Sequence, residues 1–409
     1  MKLTADTVMY DSEKQDFGKI CGYLFSERGD VVSALKILMK KGQEKGFKGN
    51  LWRRYLAYYI ADNENPFSLF YERNDGKSNA LDFAAEKDFE MFYELFNLDL
   101  YTVFGEFAES IMKFDGGKFR GACDVLSGKF EKALQSAASP SEMMNSAKKF
   151  YAKYGAGDFA FFKAFKLTGS NIAPIANTSE ITFDKLIGYE LQKKELESNT
   201  EQFLKGRPAN NVLLYGESGT GKSSSIKALL NKYYPSGLRM VEVSKNNFQG
   251  INSLSPILKT RGYKFIIYLD DLSFEEFETD YKYLKAVIDG SLEEKPSNVL
   301  IYASSNRRHL VREKISDNYE IDRSADIHRN ETAEEKLSLS ARFGLAIYYP
   351  SLAQSEFFNM AKILAADAGI FIDDETLIAE AKKWDMRGKG RSGRSASQFI
   401  KYLKYGNFV

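Results

Sequence analysis

Through most of the first 166 residues, apolar side chains recur every three or four positions. The pattern runs through VVSALKILMK (31–40), LWRRYLAYYI (51–60), FEMFYELFNLDLYTVFGEF (89–107) and FEKALQSA (130–137). That spacing predicts helices that bury one face. Pro66 and Pro140 fall where such helices would begin or end. The abundant Phe and Tyr of this region are read first as core. LTGSNIAPIANTSE (167–180), with its Gly, Ser, Asn and Pro, reads as a linker. After it the rhythm changes. NVLLY (211–215), LRMVEVS (238–244), YKFIIYLD (263–270), NVLIYASS (298–305) and LAIYYP (345–350) are short, nearly continuous apolar runs separated by helix-length segments. Such runs predict parallel strands covered on both faces by crossover helices. From 351 to 409 the pattern is helical again, around a basic Gly-Arg-Ser turn. The expected organisation is therefore a helical domain (1–166), a linker (167–180), an α/β domain (181–350) and a small helical domain (351–409). No internal repeat is evident.

Composition narrows the function classes. The chain has 409 residues, 44% apolar and 28% charged, which suits a soluble globular protein rather than a disordered or fibrous one. No apolar run approaches the ~20 residues needed to span a membrane. The first residues, MKLTADTVMYDSEKQDF, lack the apolar core of a secretory signal. Two cysteines, Cys21 and Cys123, fit a reduced compartment, and two histidines, His309 and His328, make a histidine-based zinc site unattractive. A cytoplasmic location is expected. The net charge is +1, with no basic half to announce nucleic acid by charge alone.

The strongest chemical signal is Gly216-Glu217-Ser218-Gly219-Thr220-Gly221-Lys222-Ser223, followed by Ser224. It satisfies the Walker A phosphate-loop pattern and lies between a strand and a helical segment, SSSIKALLNKYY. Glycines let successive backbone N–H groups turn inward toward phosphate oxygens, and the helix that follows adds its positive end. Lys222 is expected to reach the β- and γ-phosphates, and the Ser223 hydroxyl to ligate Mg2+. Strand 263–269 ends in Asp270-Asp271, a Walker B-like position beside the phosphate loop. There Asp270 can hold the magnesium and Asp271 can orient or deprotonate the attacking water. Glu is the usual residue at the second position in hydrolytic phosphate-loop proteins, so Glu275 or Glu276 competes with Asp271 as the base.

With these residues on the page, the chain resembles the AAA+ ATPases, and within them an uncharacterised bacterial family known only as a domain of unknown function. The resemblance covers roughly residues 180–405 through FDKLIGYELQKKEL, NNVLLYGESGTGKSSSIKALL, FIIYLDDLSFEE, NVLIYASSNRRHL, EEKLSLSARFGL and GRSGRSASQF. It implies a five-stranded parallel sheet carrying a C-terminal helical lid. It also implies that Ile187-Gly188-Tyr189 borders the adenine and that Asn306 is a first sensor, an amide that bonds both the γ-phosphate and the attacking water. Arg342 would be an arginine finger acting on a neighbouring subunit's nucleotide, which implies a homo-oligomer. Arg394 would be the second sensor, carried by the lid, with Arg391 as its rival. Family members tend to carry Asp where this chain has Ala341. ATP is the expected ligand, with ADP the product.

Other signals are weaker. KKGQEKGFKGNLWRRYLAYY (40–59) interleaves Lys40, Lys41, Lys45, Lys48, Arg53 and Arg54 with Trp52, Tyr55 and Tyr58, a combination that can grip single-stranded nucleic acid. A charged loop leading into an amphipathic helix accounts for the same letters. Phe248-Gln249-Gly250 falls where protein-threading relatives carry an aromatic–hydrophobic–glycine loop, but Gln interrupts that pattern. Ser223 to Ser225 have no histidine nearby in sequence, so serine–histidine hydrolysis is set aside. The run 311–336 reads as a charged excursion between strands. The expected function is Mg-dependent ATP hydrolysis coupled to a conformational change on a macromolecular target, DNA or protein, met through the N-terminal domain. A nucleotide switch or scaffold with negligible hydrolysis is the alternative, and a small-molecule phosphotransferase is a third.

Overall fold

A computed structural model of the chain describes residues 7–27, 29–74, 79–117, 123–273, 284, 288, 296–306 and 342–405. It divides into two compact units, Met1–Ala164 with Pro174–Thr178, and Phe165–Ala173 with Ser179–Val409. Among the described residues no helix is long and apolar enough to cross a membrane.

The first unit is helical. Its central helix, Leu51–Asp62, is capped by the Asn50 side chain, which accepts the Arg53 N–H, and it is buried over most of its circumference. Pro66 and Pro140 each open a helix, Pro66–Arg73 and Pro140–Tyr154, behind the capping side chains of Asn65 and Ser139. The run 89–107 is not one helix. Leu81–Phe96 ends at Asn97, and Asp99 caps a new short helix, Leu100–Phe104. A two-residue ladder joins β1 (Lys48–Gly49) to β2 (Phe114–Asp115).

The basic–aromatic stretch is part of this core, which removes the ring-stacking reading. Trp52 and Tyr55 are fully buried and Tyr58 nearly so. The Trp52 indole donates to the Leu95 carbonyl at 2.7 Å, and the Tyr55 hydroxyl donates to that of Gln15 at 3.0 Å. The cations are engaged as well. Arg54 pairs with Glu131 at 3.1 Å, and Arg53 donates to the Phe96 carbonyl at 3.1 Å. A ring packed on all sides has no face left for a base.

The second unit contains the sheet. Its parallel core has the order β6 (Leu238–Glu242), β7 (Lys264–Leu269), β8 (Val299–Ser305), β5 (Val212–Gly216), β9 (Leu345–Tyr349). Central strands β7 and β8 are buried almost throughout, as both-face coverage demands. Two further strands, β3 (Ala164–Thr168) and β4 (Asn171–Pro174), extend the sheet beyond β6, making seven strands. The expected linker at 167–180 therefore begins inside a hairpin. Phe165 and Leu167 point inward, Lys166 and Thr168 outward, and Gly169-Ser170 makes the turn. Phe248 is buried within the 3-10 segment Lys245–Ser253, where Asn247 donates to the Gly169 carbonyl at 3.3 Å. That segment is packed, with no projecting aromatic loop. Three helices, Gln354–Asp367, Asp374–Trp384 and Gly393–Tyr405, form the small C-terminal bundle around Phe357, Met360, Leu377 and Phe399.

Candidate functional site

The phosphate loop leaves the C-terminal end of β5 and enters the helix Lys222–Tyr233. Only glycine fits at its first position. Gly216 has φ +135°, and a Cβ there would lie 2.1 Å from the Tyr349 carbonyl oxygen. The same carbonyl accepts the Glu217 N–H at 3.2 Å, while the Thr220 hydroxyl closes the loop on the Glu217 carbonyl at 2.8 Å. The Tyr349 phenol meets the Ser225 hydroxyl at 3.1 Å, and Ser225 in turn bonds the Gly221 carbonyl at 3.0 Å. One residue of the edge strand thus braces the loop at its start and, through Ser225, at its end.

Two polar chains cross the mouth of the sheet. In the first, the Lys222 ammonium donates to the carbonyls of Gly216 (2.9 Å) and Glu217 (2.6 Å) and to Asn306 Oδ1 (3.0 Å). The Asn306 amide then donates to Asp271 Oδ1 at 2.8 Å. Burial pulls the Lys222 ammonium below the ordinary lysine range, against the opposing pull of the Asp271 and Glu217 carboxylates. In the second chain, Ser223 and Ser304 each donate to Asp270 Oδ1 at 2.6 Å, and Ser304 also accepts the Asp271 N–H at 3.1 Å. Burial would raise the Asp270 carboxyl, but the hydroxyls of Ser223 and Ser304 and the nearby Tyr268 phenol outweigh it and hold the group below the usual carboxylate range. Asp271 sits in the left-handed region, φ +52°, a backbone conformation that few non-glycine residues adopt.

A cavity of about 650 Å³ opens over these groups. Residues Ser218 to Ser224, Asp270, Asp271 and Asn306 line its floor, and Ile187, Gly188 and Tyr189 line one wall. Tyr189 also has a left-handed backbone, φ +61°. Its hydroxyl donates to the Pro350 carbonyl at 2.7 Å, and its ring packs 5.1 Å from that of Tyr349. The helical bundle closes the other side with Met360, Leu364 and Arg394. The Arg394 N–H donates to the Gly219 carbonyl at 3.1 Å, so the last helix docks on the phosphate loop itself. Arg391 does not line the cavity; its guanidinium lies 3.7 Å from Asp385. Gly216 and Glu217 support the floor from outside.

Arg342 stands apart. It lies three residues ahead of β9, at the end of the sheet opposite the phosphate loop, and the strand alone separates the two ends by about 13 Å. Glu275, Glu276, Ala341, His309, His328 and the whole run 311–336 lie outside the described residues. Sequence reasoning missed Ser304 and Tyr349. Ser304 carried no signal of its own in the sequence: the β7–β8 register, which pairs Leu269 with Ala303, sets it beside Asp270. Tyr349 could be found only through the edge position of β9.

The donors present suit magnesium. The Ser223 hydroxyl and Asp270 carboxylate, in direct contact, form a hard-oxygen pair suited to a small divalent cation. Among the described residues no cluster of three or more His, Cys, Asp or Glu could hold a metal unaided. A cation held by one hydroxyl, one carboxylate, phosphate oxygens and water needs none. The residues fit the ion.

The chain has partial likenesses among known proteins. The Replication factor C large subunit of Staphylothermus marinus is 33% identical over 79 residues, 19% of this chain and 18% of that protein. The Thermotoga maritima RuvB Holliday junction branch migration motor is 18% identical, with a TM-score of 0.36 over 55% of this chain and 64% of that one. AMPPCP-bound DnaA from Aquifex aeolicus is also 18% identical, with a TM-score of 0.39 over 56% and 66%. This chain thus spans under a fifth of the curated relative and under two thirds of either solved structure. A family model described as Protein of unknown function (DUF815) matches residues 159–407. The chain belongs to that family.

Proposed function

We propose that this protein is a Mg-dependent ATPase that couples hydrolysis to a conformational change on a macromolecular target. The observation that carries the reading is the convergence of Lys222, Ser223, Asp270, Asp271 and Asn306 at the C-terminal ends of three adjacent strands, under a helical bundle that touches the loop through Arg394. The base would lie against Ile187 to Tyr189 and the phosphates in the glycine loop. Lys222, already aimed across the loop mouth, would move its ammonium onto the β- and γ-phosphate oxygens. Ser223 and Asp270 would hold magnesium, which when bound neutralises charge on the phosphates. Asn306 would orient the water and Asp271 accept its proton. Arg394 would report the γ-phosphate to the lid. Arg342, remote from its own chain's loop, would act on a neighbour's nucleotide in a homo-oligomer.

A nucleotide switch with negligible turnover is the second reading, favoured by the engagement of the short Asp271 side chain with Asn306. The helical unit would select the target. The burial of Trp52, Tyr55 and Tyr58 takes away the sequence ground for preferring nucleic acid over protein there.

Calorimetric titration with ATP tests the assignment: Lys222→Ala should bind at least a hundredfold more weakly than wild type, and equal affinity would sink it. Measured turnover abolished by Asp271→Asn decides for the ATPase, whereas ATP binding without turnover at any concentration decides for the switch.

A further inference from the structure

We propose that Tyr268 and Ser304 are positioning residues for the metal, two hydroxyls behind Asp270 that hold its carboxylate where, with Ser223, it takes the cation. The inference rests on the Mg-ATP reading above.

Ser304 is almost completely buried, at 2% exposure. A hydroxyl has one proton to give and lone pairs to accept with. Ser304 gives its proton to Asp270 Oδ1 and accepts the Asp271 N–H, so one side chain orients the carboxylate of the first acidic residue and the backbone of the second. It also lies 3.4 Å from the Ser223 hydroxyl. Displacing it would disturb every protein group assigned to the cation.

Tyr268 lies in β7, two residues before Asp270. Its side chain is 1% exposed, and among the described residues its hydroxyl has no hydrogen-bond partner. Buried hydroxyls without partners are uncommon in folded proteins and call for an explanation. Phe would fill the same space without that burden. In the β7–β8 register Tyr268 pairs with Tyr302, two positions before the place where Asp270 meets Ser304. Ser223 and Ser304 both bond Oδ1, and a carboxylate has further lone pairs to offer. Tyr268 is placed to take one of them. Partners that orient a metal ligand in this way are typically worth 10- to 100-fold in metal affinity.

The test uses full-length protein in excess over a non-hydrolysable ATP analogue, with Mn2+ as the reporter ion and free Mn2+ read by electron paramagnetic resonance. Tyr268→Phe and Ser304→Ala should each weaken Mn2+ binding about tenfold. Ser304→Thr, which keeps the hydroxyl, should restore it. Binding of a fluorescent ATP analogue in EDTA should stay within twofold of wild type in all three, which a general loss of structure would not allow. Mn2+ affinity within twofold of wild type in both Tyr268→Phe and Ser304→Ala would overturn the proposal. So would a matching loss of metal-free nucleotide binding. A wild-type complex that takes up the analogue but no Mn2+ would instead fell the magnesium reading, and this inference with it.

Discussion

At the scale of single residues, the site depends on two backbone conformations that ordinary side chains avoid. Gly216 cannot carry a Cβ, because it would collide with the Tyr349 carbonyl and because φ is +135°. Gly216→Ala should therefore lose nucleotide binding through a displaced loop. A variant that binds ATP normally in calorimetry would show that the loop tolerates the shift. Asp271 adopts a left-handed backbone, which Asn accepts about as readily. Asp271→Asn should leave the melting temperature within a few degrees of wild type while cutting turnover by a factor on the order of 100 or more, the size of a lost general base. Turnover that survives the substitution would transfer the base to another carboxylate. The phosphate loop and the acidic pair were legible letter by letter, because each depends on residue types at fixed spacing. Ser304 was not, since its role comes from a neighbouring strand's register rather than its own surroundings in sequence.

At the scale of elements, β9 is the strand that ties the site together. It occupies the sheet edge, its last carbonyl meets Glu217, and its last side chain braces Ser225 and packs on Tyr189. Removing only the phenol oxygen, in Tyr349→Phe, forfeits a hydrogen bond worth about 0.5–1.5 kcal/mol. Nucleotide affinity should fall several-fold with the fold intact; unchanged affinity would mean that the brace is idle. Four of the five core strands were readable as apolar runs because they are buried almost throughout, and β9, which exposes Ala346 and Tyr348 at the sheet edge, was readable because those positions are apolar or aromatic as well. The hairpin β3–β4 was passed over as a linker: its alternation is only one strand long, and its turn residues dominate the composition. In the helical unit, periodicity marked the helix Leu51–Asp62 but not how deeply it is buried, since periodicity reports a face and says nothing of what covers the rest. Trp52→Ala should accordingly cost about 3–5 kcal/mol of stability, read as a lower denaturant midpoint. An unaltered midpoint accompanied by lost, salt-sensitive DNA binding would revive the nucleic-acid reading of that stretch.

At the scale of the molecule, the two units divide the labour in the account proposed here. The second unit holds every group assigned to ATP, and the helical unit is left to choose the target. Neither unit's composition names that target: the charge is balanced, and the aromatic residues of the basic stretch are core. Assembly is the claim on which the whole account turns. Arg342 lies at the far end of β9 from its own chain's phosphate loop, and in the proposed account it completes the site of another copy. The direct test is steady-state phosphate release from Mg-ATP over a wide range of protein concentration, wild type beside Arg342→Ala. The account predicts a rate per subunit that climbs with concentration and collapses in the variant, while ATP binding to the variant persists. A wild-type rate per subunit that is independent of concentration, and matched by Arg342→Ala, would contradict it.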